Sequence, residues 1–301
     1  MKADPFFSIV IPVFNRCNLI GNTISSILQQ TFAAYEVIIV DDGSTDKTTD
    51  FLRINYNNNP GFKIISQANK ERGAARNTGF KNASGKYVIF FDSDDFMHPN
   101  HLQVLHETIV AHNSPFFIAT KFDFINDNGT SKASDIFSLK EGFYDYRLFL
   151  NGNPIACNVC VLVDNSDLKM FEEDRNFAIK EDWMFLIQNT KLHPLFIVDE
   201  VTISMSDHPL RSMRSDNERI IQKTLLAQDW ILRKIELTLE EKNQLTAHVN
   251  YFCAIHSYLE NQSKRSIGFL IDAMKFGGLK MKYFTLFLKN ILGRKVISRL
   301  Q

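Results

Sequence analysis

"KYVIFFDSDD", residues 86–95, joins a run that is apolar from Tyr87 to Phe91 to three carboxylates, Asp92, Asp94 and Asp95, inside four positions. A short aromatic and β-branched run ended by polar residues reads as a strand. The acids behind it need a cause. Two unit charges about 4 Å apart repel by roughly 1 kcal/mol in water and about 4 kcal/mol at the effective dielectric of a protein surface, so the cluster implies a cation. Asp92 and Asp94 are two positions apart, so on an extended chain they point the same way and can face one ligand. Asp95 reads as a supporting turn residue. The plain alternative is a solvated turn that caps a following helix.

Working back from this strand, "FSIVIPVFN" (7–15), "YEVIIVDDGS" (35–44) and "FKIISQA" (62–68) are strands of the same kind. Between the first two, residues 18–30 put Ile20, Ile24, Ile27 and Leu28 on one helical face. Residues 46–53 and 73–83 supply two more helices, and Pro99 opens another that carries Leu102, Leu105 and Ile109. This is the βαβ pattern of an α/β protein: a mostly parallel, Rossmann-like sheet flanked by helices. Ligands of such sheets bind outside the carboxyl ends of the strands. "PVFNR", "DDGSTD" and "DSDD" each fall at such an end, so three strands aim polar groups at one rim.

Farther along, "FFIATKFDFIN" (116–126) and "IACNVCVLVD" (155–164) read as strands, and "EDWMFLIQNTKLH" (181–193) as a helix whose first turn carries Glu181 and Asp182, where negative charge suits the helix dipole. Beyond about residue 215 the pattern is helical to the end. The 301 residues exceed the usual single-domain size. The expected division is an α/β domain over 1–215, its two halves meeting near residue 115, and a helical extension over 216–301.

Lys and Arg number 34 and so do Asp and Glu, a zero net charge that argues against a dedicated nucleic-acid binder. The balance conceals an asymmetry, because residues 273–301 carry seven basic side chains and no acid. This basic, apolar-rich tail suits either peripheral contact with an anionic membrane or packing on its own domain or a second subunit. No stretch is apolar enough to span a bilayer and "MKADPFF" lacks a signal-peptide core, so the expected compartment is the cytoplasm, at most peripheral to the inner membrane face. Cys17 and Cys253 are isolated, and Cys157 with Cys160 form a CNVC pair without a second pair, so reduced thiols are expected. The chain lacks G-x-x-x-x-G-K-[ST] and G-x-G-x-x-G loops to cradle phosphate, which leaves a metal as the counter-charge for a diphosphate. Mg2+ suits one or two carboxylates with the rest of its shell from water and phosphate, and Mn2+ also favours oxygen ligands.

"SIVIPVFNR", "SILQQTF", "YEVIIVDDGSTD", "GAARNTGFKNASGKYVIFFDSDD" and "KEDWMFL" together resemble the inverting family 2 glycosyltransferases of GT-A fold with a DXD motif, in order over residues 7–215. The resemblance implies a metal-dependent transfer of a sugar from a nucleoside diphosphate, with UDP expected, to a hydroxyl of a glycan or lipid-linked acceptor, as in surface polysaccharide synthesis. It implies that Pro12 and Phe14 flank the base, that Asp42 accepts a hydrogen bond from uracil, and that Arg76 lies near the nucleotide. Asp92 would approach ribose and metal, Asp94 would ligate the metal (Mn2+ or Mg2+), and Asp182 would be the base, with Glu181 in reserve. Four of these have a structural alternative: core packing for Phe14, a surface or capping role for Arg76, helix capping for Glu181 and Asp182. His208, Arg211 and Arg214 belong to a loop that could close on the donor or simply be solvated. Rival readings are a nucleotidyltransferase, which would normally carry a Gly-rich basic loop after the first strand, and a nucleotide-sugar-binding protein without catalysis.

Overall fold

The computed structural model describes residues 4–126, 131–133, 135–207 and 216–292. The chain divides into two units, one made of Met1–Tyr146 and Asn153–His208, the other of Arg147–Gly152 and Pro209–Gln301.

In the first unit the elements run β1 (Phe7–Val13), α1 (Ile20–Leu28), β2 (Tyr35–Asp41), α2 (Thr48–Tyr56), β3 (Phe62–Ser66), α3 (Glu71–Lys81), β4 (Tyr87–Phe90), β5 (Phe96–Met97) and α4 (His101–Ala111). They continue with β6 (Phe117–Ile125), β7 (Ser131–Ala133), β8 (Gly142–Tyr144), β9 (Val159–Leu162), α5 (Glu181–Thr190) and β10 (Leu195–Ser206). The sheet has the order β3-β2-β1-β4-β9-β6-β10-β5, with β7 on β6 and β8 on β10. β9 is antiparallel to both β4 and β6, so β6 and its parallel neighbour β10 run the same way as β1 to β4. The expected mostly parallel α/β sheet is what forms, and it continues unbroken past residue 115.

Every residue of β1 is buried, and Ile9, Ile11, Val37 and Ile39 are wholly inaccessible. Burying each such side chain is worth about 1.5–3 kcal/mol, which places the centre of the core at β1, β2 and β4. α3 can lie this close to β1 because Gly79 has no side chain; a Cβ there would come within 2.2 Å of Val10 Cγ1. The register pairs Val13 with Asp41 and Asp41 with Ser66. Asp42 N donates to Val13 O at 2.8 Å, and Phe91 N to Val10 O at 3.0 Å, so the polar segments after β1, β2 and β4 leave the sheet at one edge.

Two features depart from the sequence reading. β10 is a twelve-residue strand where no strand is expected, because Asp199 and Glu200 interrupt its apolar run. The register against β6 shifts on both sides of Val201; this bulge turns the two acids outward, where Asp199 pairs with Lys121, and the strand then resumes. "IACNVCVLVD" is strand only from Val159 to Leu162, because the chain before it turns through Ala156 at φ 51°. All four cysteines are free, and all but Cys17 are buried.

The second unit contains α6 (Asn217–Lys234), α7 (Leu239–Leu259), α8 (Ser263–Gly277) and α9 (Met281–Leu292). α7 starts at a reciprocal cap: Glu241 N donates to Thr238 Oγ1 at 3.2 Å, and Thr238 N to Glu241 Oε2 at 2.9 Å. Arg147 Nε donates to Glu241 Oε1 at 2.9 Å, tying the short segment 147–152 to α7. Among the described residues no helix is long and apolar enough to cross a membrane.

Candidate active site

The segment after β1 interlocks with the one after β2. Asn15, held at φ 52°, accepts on Oδ1 from Thr45 N at 2.8 Å, and Arg16 N donates to Thr48 Oγ1 at 2.9 Å. Pro12 is buried in β1, whereas Phe14, just beyond it, is 43% exposed and so does not pack in the core. Its ring is presented at the strand-end rim.

The paired acids of "VDDGS" divide the work. Asp41 accepts from Ser44 N at 3.0 Å and from the Thr49 hydroxyl, which braces the turn around Gly43. That turn requires glycine: φ is +77°, and a Cβ would sit 2.8 Å from Asn69 N. Asp42 Oδ1 accepts from Gln67 Nε2 at 2.7 Å and from Lys70 N at 2.9 Å. Burial raises the Asp42 pKa, and these hydrogen bonds pull the other way.

The three acids that follow β4 have three different partners. Asp92 Oδ1 accepts from Arg76 Nη2 at 2.8 Å, Asp94 lies 3.9 Å from Arg16 Nε, and Asp95 Oδ1 accepts from Ser206 N at 3.0 Å. Two guanidinium groups therefore answer part of the repulsion that sequence reading assigns to a metal. Asp95 joins the end of β4 to the end of β10, a bracing contact. Beside Asp92 and Asp95 a small hollow is walled by Phe91, Cys157, Asn158, Ile203 and Met205.

Arg76 is 1% exposed on α3, neither on the surface nor at a helix cap. Its second arm, Nη1, donates to Glu181 Oε1 at 2.6 Å, and its guanidinium lies 5.3 Å from the centre of the Phe171 ring. Arg72 Nε adds a 3.7 Å ion pair to the same Glu181 oxygen. Glu181 Oε2 is buried without a hydrogen-bond partner. The neighbouring Asp182, in the first turn of α5, accepts from Trp183 N at 2.7 Å and from Asn153 Nδ2 at 3.0 Å. Burial, and then the charge of Glu181, push its pKa up to about 6, against the pull of Arg76 and Lys180. A carboxylate of that pKa is poised to take a proton near neutrality.

Arg76 thus brings Asp92 and the Glu181–Asp182 pair into one cluster, although they come from β4 and α5. Arg16, Gln67 and Asn153 are contributors that sequence reading left without a role; Arg16 stands inside "PVFNR", so its place at a strand end was the available signal. His208, Arg211 and Arg214 lie outside the described residues. Among the described residues no three His, Cys, Asp or Glu side chains gather as a metal cage. A hard ion held by one or two carboxylates and substrate oxygens needs no cage. Asp94, with a side chain 17% exposed, and Asp92, at 28%, suit such an ion.

Known proteins similar to this chain include glycosyltransferases. The chain is 34% identical over 146 residues to a glycosyltransferase of Rickettsia felis, a match covering 48% of this chain and 23% of that protein. It is 28% identical over 209 residues to the Escherichia coli UDP-Glc:alpha-D-GlcNAc-diphosphoundecaprenol beta-1,3-glucosyltransferase WfgD, covering 67% and 79% of the two chains. The chain therefore spans about a quarter of the first relative and most of the second. The fold is that of Staphylococcus aureus TarS residues 1–349: TM-score 0.65 at 20% identity, over 98% of this chain and 92% of that one. The same TarS segment has been solved with UDP-GlcNAc (TM-score 0.63, 20% identity, 97% and 87% coverage). Residues 8–171, more than half of the chain, match the family model described as glycosyl transferase family 2, and the chain belongs to glycosyl transferase family 2.

Proposed function

We propose that this chain is a metal-dependent inverting glycosyltransferase that moves a sugar from a nucleoside diphosphate, UDP being the expected nucleotide, to a hydroxyl of a glycan or lipid-linked acceptor. The Arg76 bridge carries the reading. It ties Asp92 at the donor rim to Glu181, and so sets Asp182 beside the same site with a pKa near 6. The UDP-GlcNAc complex of TarS and the diphosphoundecaprenol substrate in the name of WfgD favour the donor and acceptor classes.

On this reading the base lies between Phe14 and Asp42, with Pro12 shaping the segment behind it, and Asp94 with Asp92 holds Mn2+ or Mg2+. The ion, when bound, offsets charge on the leaving diphosphate. Asp182 takes the proton of the acceptor hydroxyl as its oxygen bonds to the anomeric carbon. The bond from that carbon to the diphosphate breaks on the opposite face, which inverts the configuration and releases the nucleoside diphosphate. Glu181 is tied to Arg76 and Arg72, which favours Asp182 over it as the base. Arg16 and Arg76 are cations paired with the acids of the rim.

A thermal-shift screen of UDP-, GDP-, dTDP- and CMP-sugars with and without Mn2+ tests the donor class. A rise in Tm confined to uridine nucleotides and dependent on the metal is expected. A response to another nucleotide alone, or to none, would overturn the donor assignment.

A further inference from the structure

We propose that the outward face of α9 is a docking surface for an anionic lipid bilayer. α9 is apolar on two opposite sides. On one, Tyr283 and Leu286 are 1% and 7% exposed and pack with Ala254, Leu270 and Ala273 in the small core of the second unit. On the other, Met281, Phe284, Leu288, Ile291 and Leu292 stand in solvent, 77%, 52%, 39%, 60% and 48% exposed. The spacing of three, four and three residues along positions 281, 284, 288 and 291 draws them into a single stripe. Leu279, just ahead of the helix, is 91% exposed. Scattered exposed apolar side chains are ordinary, but a continuous stripe on one helix marks a contact surface.

Charge decides what fits it. From residue 273 to 292 the only charged side chains are Lys275, Lys280, Lys282 and Lys289, all exposed. The chain continues with Arg294, Lys295 and Arg299, which lie outside the described residues. Lys282 is anchored with its ammonium 4.8 Å from the centre of the Tyr251 ring. Burial and then the neighbouring Lys280 lower its pKa, the direction expected of a cation lacking an anion. A two-fold pair of this chain through α9 would set the patch against itself, bringing lysines against lysines with no acid on α9 itself. An anionic bilayer satisfies both features, because acyl chains receive the stripe and lipid phosphates meet the lysines. This is the way an interfacial helix binds, and each lysine near such a surface adds roughly fivefold to the partition.

The inference is independent of the donor and acceptor assignments. Its test is flotation of the full chain with vesicles of phosphatidylcholine alone, or with added phosphatidylglycerol, at low and high salt. Flotation is expected only with phosphatidylglycerol, and to fall at high salt. The variant Phe284→Ser/Leu288→Ser/Ile291→Ser should weaken it at least tenfold. Lys280→Glu/Lys289→Glu leaves the stripe intact and should weaken it by roughly 25-fold or more from the two lost lysines alone. Circular-dichroism melts of both variants should match the parent, because all five side chains are exposed. Failure of the parent chain to float, or equal flotation of folded variants, would overturn the proposal. So would a dimer in sedimentation velocity that the same substitutions dissociate without any vesicle binding, which would assign the face to a second copy.

Discussion

Replacing Arg76 with Met tests the bridge on which the site depends. The guanidinium is 1% exposed and bonded to Glu181 at 2.6 Å and to Asp92 at 2.8 Å, with the Glu181 side chain itself 3% exposed. Met fills similar apolar volume but leaves the buried Glu181 carboxylate to the longer, 3.7 Å contact with the partly exposed Arg72. Removing one partner of a buried pair costs about 3–5 kcal/mol, most of it the burden of the charge left behind. For a unit of this size, each kcal/mol lowers Tm by about 2–4 °C, so a fall of roughly 6–20 °C is expected. Trp183, two residues from Glu181 and 4% exposed, reports on this unit. With Trp230→Phe as background it is the only tryptophan in the chain, and its fluorescence can follow urea unfolding. If the cost is the stranded charge, adding Glu181→Gln to Arg76→Met should recover about 1–3 kcal/mol relative to the sum of the single changes. A loss below about 1 kcal/mol for Arg76→Met, or strict additivity in the double variant, would refute the argument.

The same geometry sets four further expectations. Asp182→Asn should abolish transfer while leaving donor binding in place, as read by calorimetry, and in the parent kcat/KM should rise about tenfold per pH unit below pH 6 and level off above. Because the folded-state pKa of Asp182 is raised to about 6, its ionisation weakens the fold as pH climbs through that value, so Asp182→Asn should melt higher than the parent above pH 6 and gain nothing below pH 4. Asp94→Ala should remove the Mn2+-dependent part of the donor-induced thermal shift, and a shift of parental size would sink its assignment as the metal ligand. Gly43→Ala should cost about 1–3 kcal/mol in urea unfolding, since a Cβ at φ +77° would also crowd Asn69 N at 2.8 Å.

The strand ends were legible because apolar runs and the polar residues that stop them are neighbours along the chain. "PVFNR", "DDGSTD" and "DSDD" could be placed on one rim by the topology rule alone. β10 was not legible: Asp199 and Glu200 break its apolar run, and only pairing with β6 across a register shift lets the strand continue past them. The turn at Ala156 was hidden likewise inside an apolar stretch that looked like unbroken strand.

The acids show where the two kinds of information part. Local sequence was sufficient to say that Asp92, Asp94 and Asp95 repel one another and need positive charge, because that follows from spacing and Coulomb's law. Which cations lie beside them was settled by packing. Arg16 comes from the end of β1, while Arg76 reaches from α3 to Asp92 and across 105 positions to Glu181. Periodicity and charge are properties of adjacent residues. The partner of a buried guanidinium, and with it the protonation of Asp182, depends on which distant elements the core draws together and how much water their contact excludes.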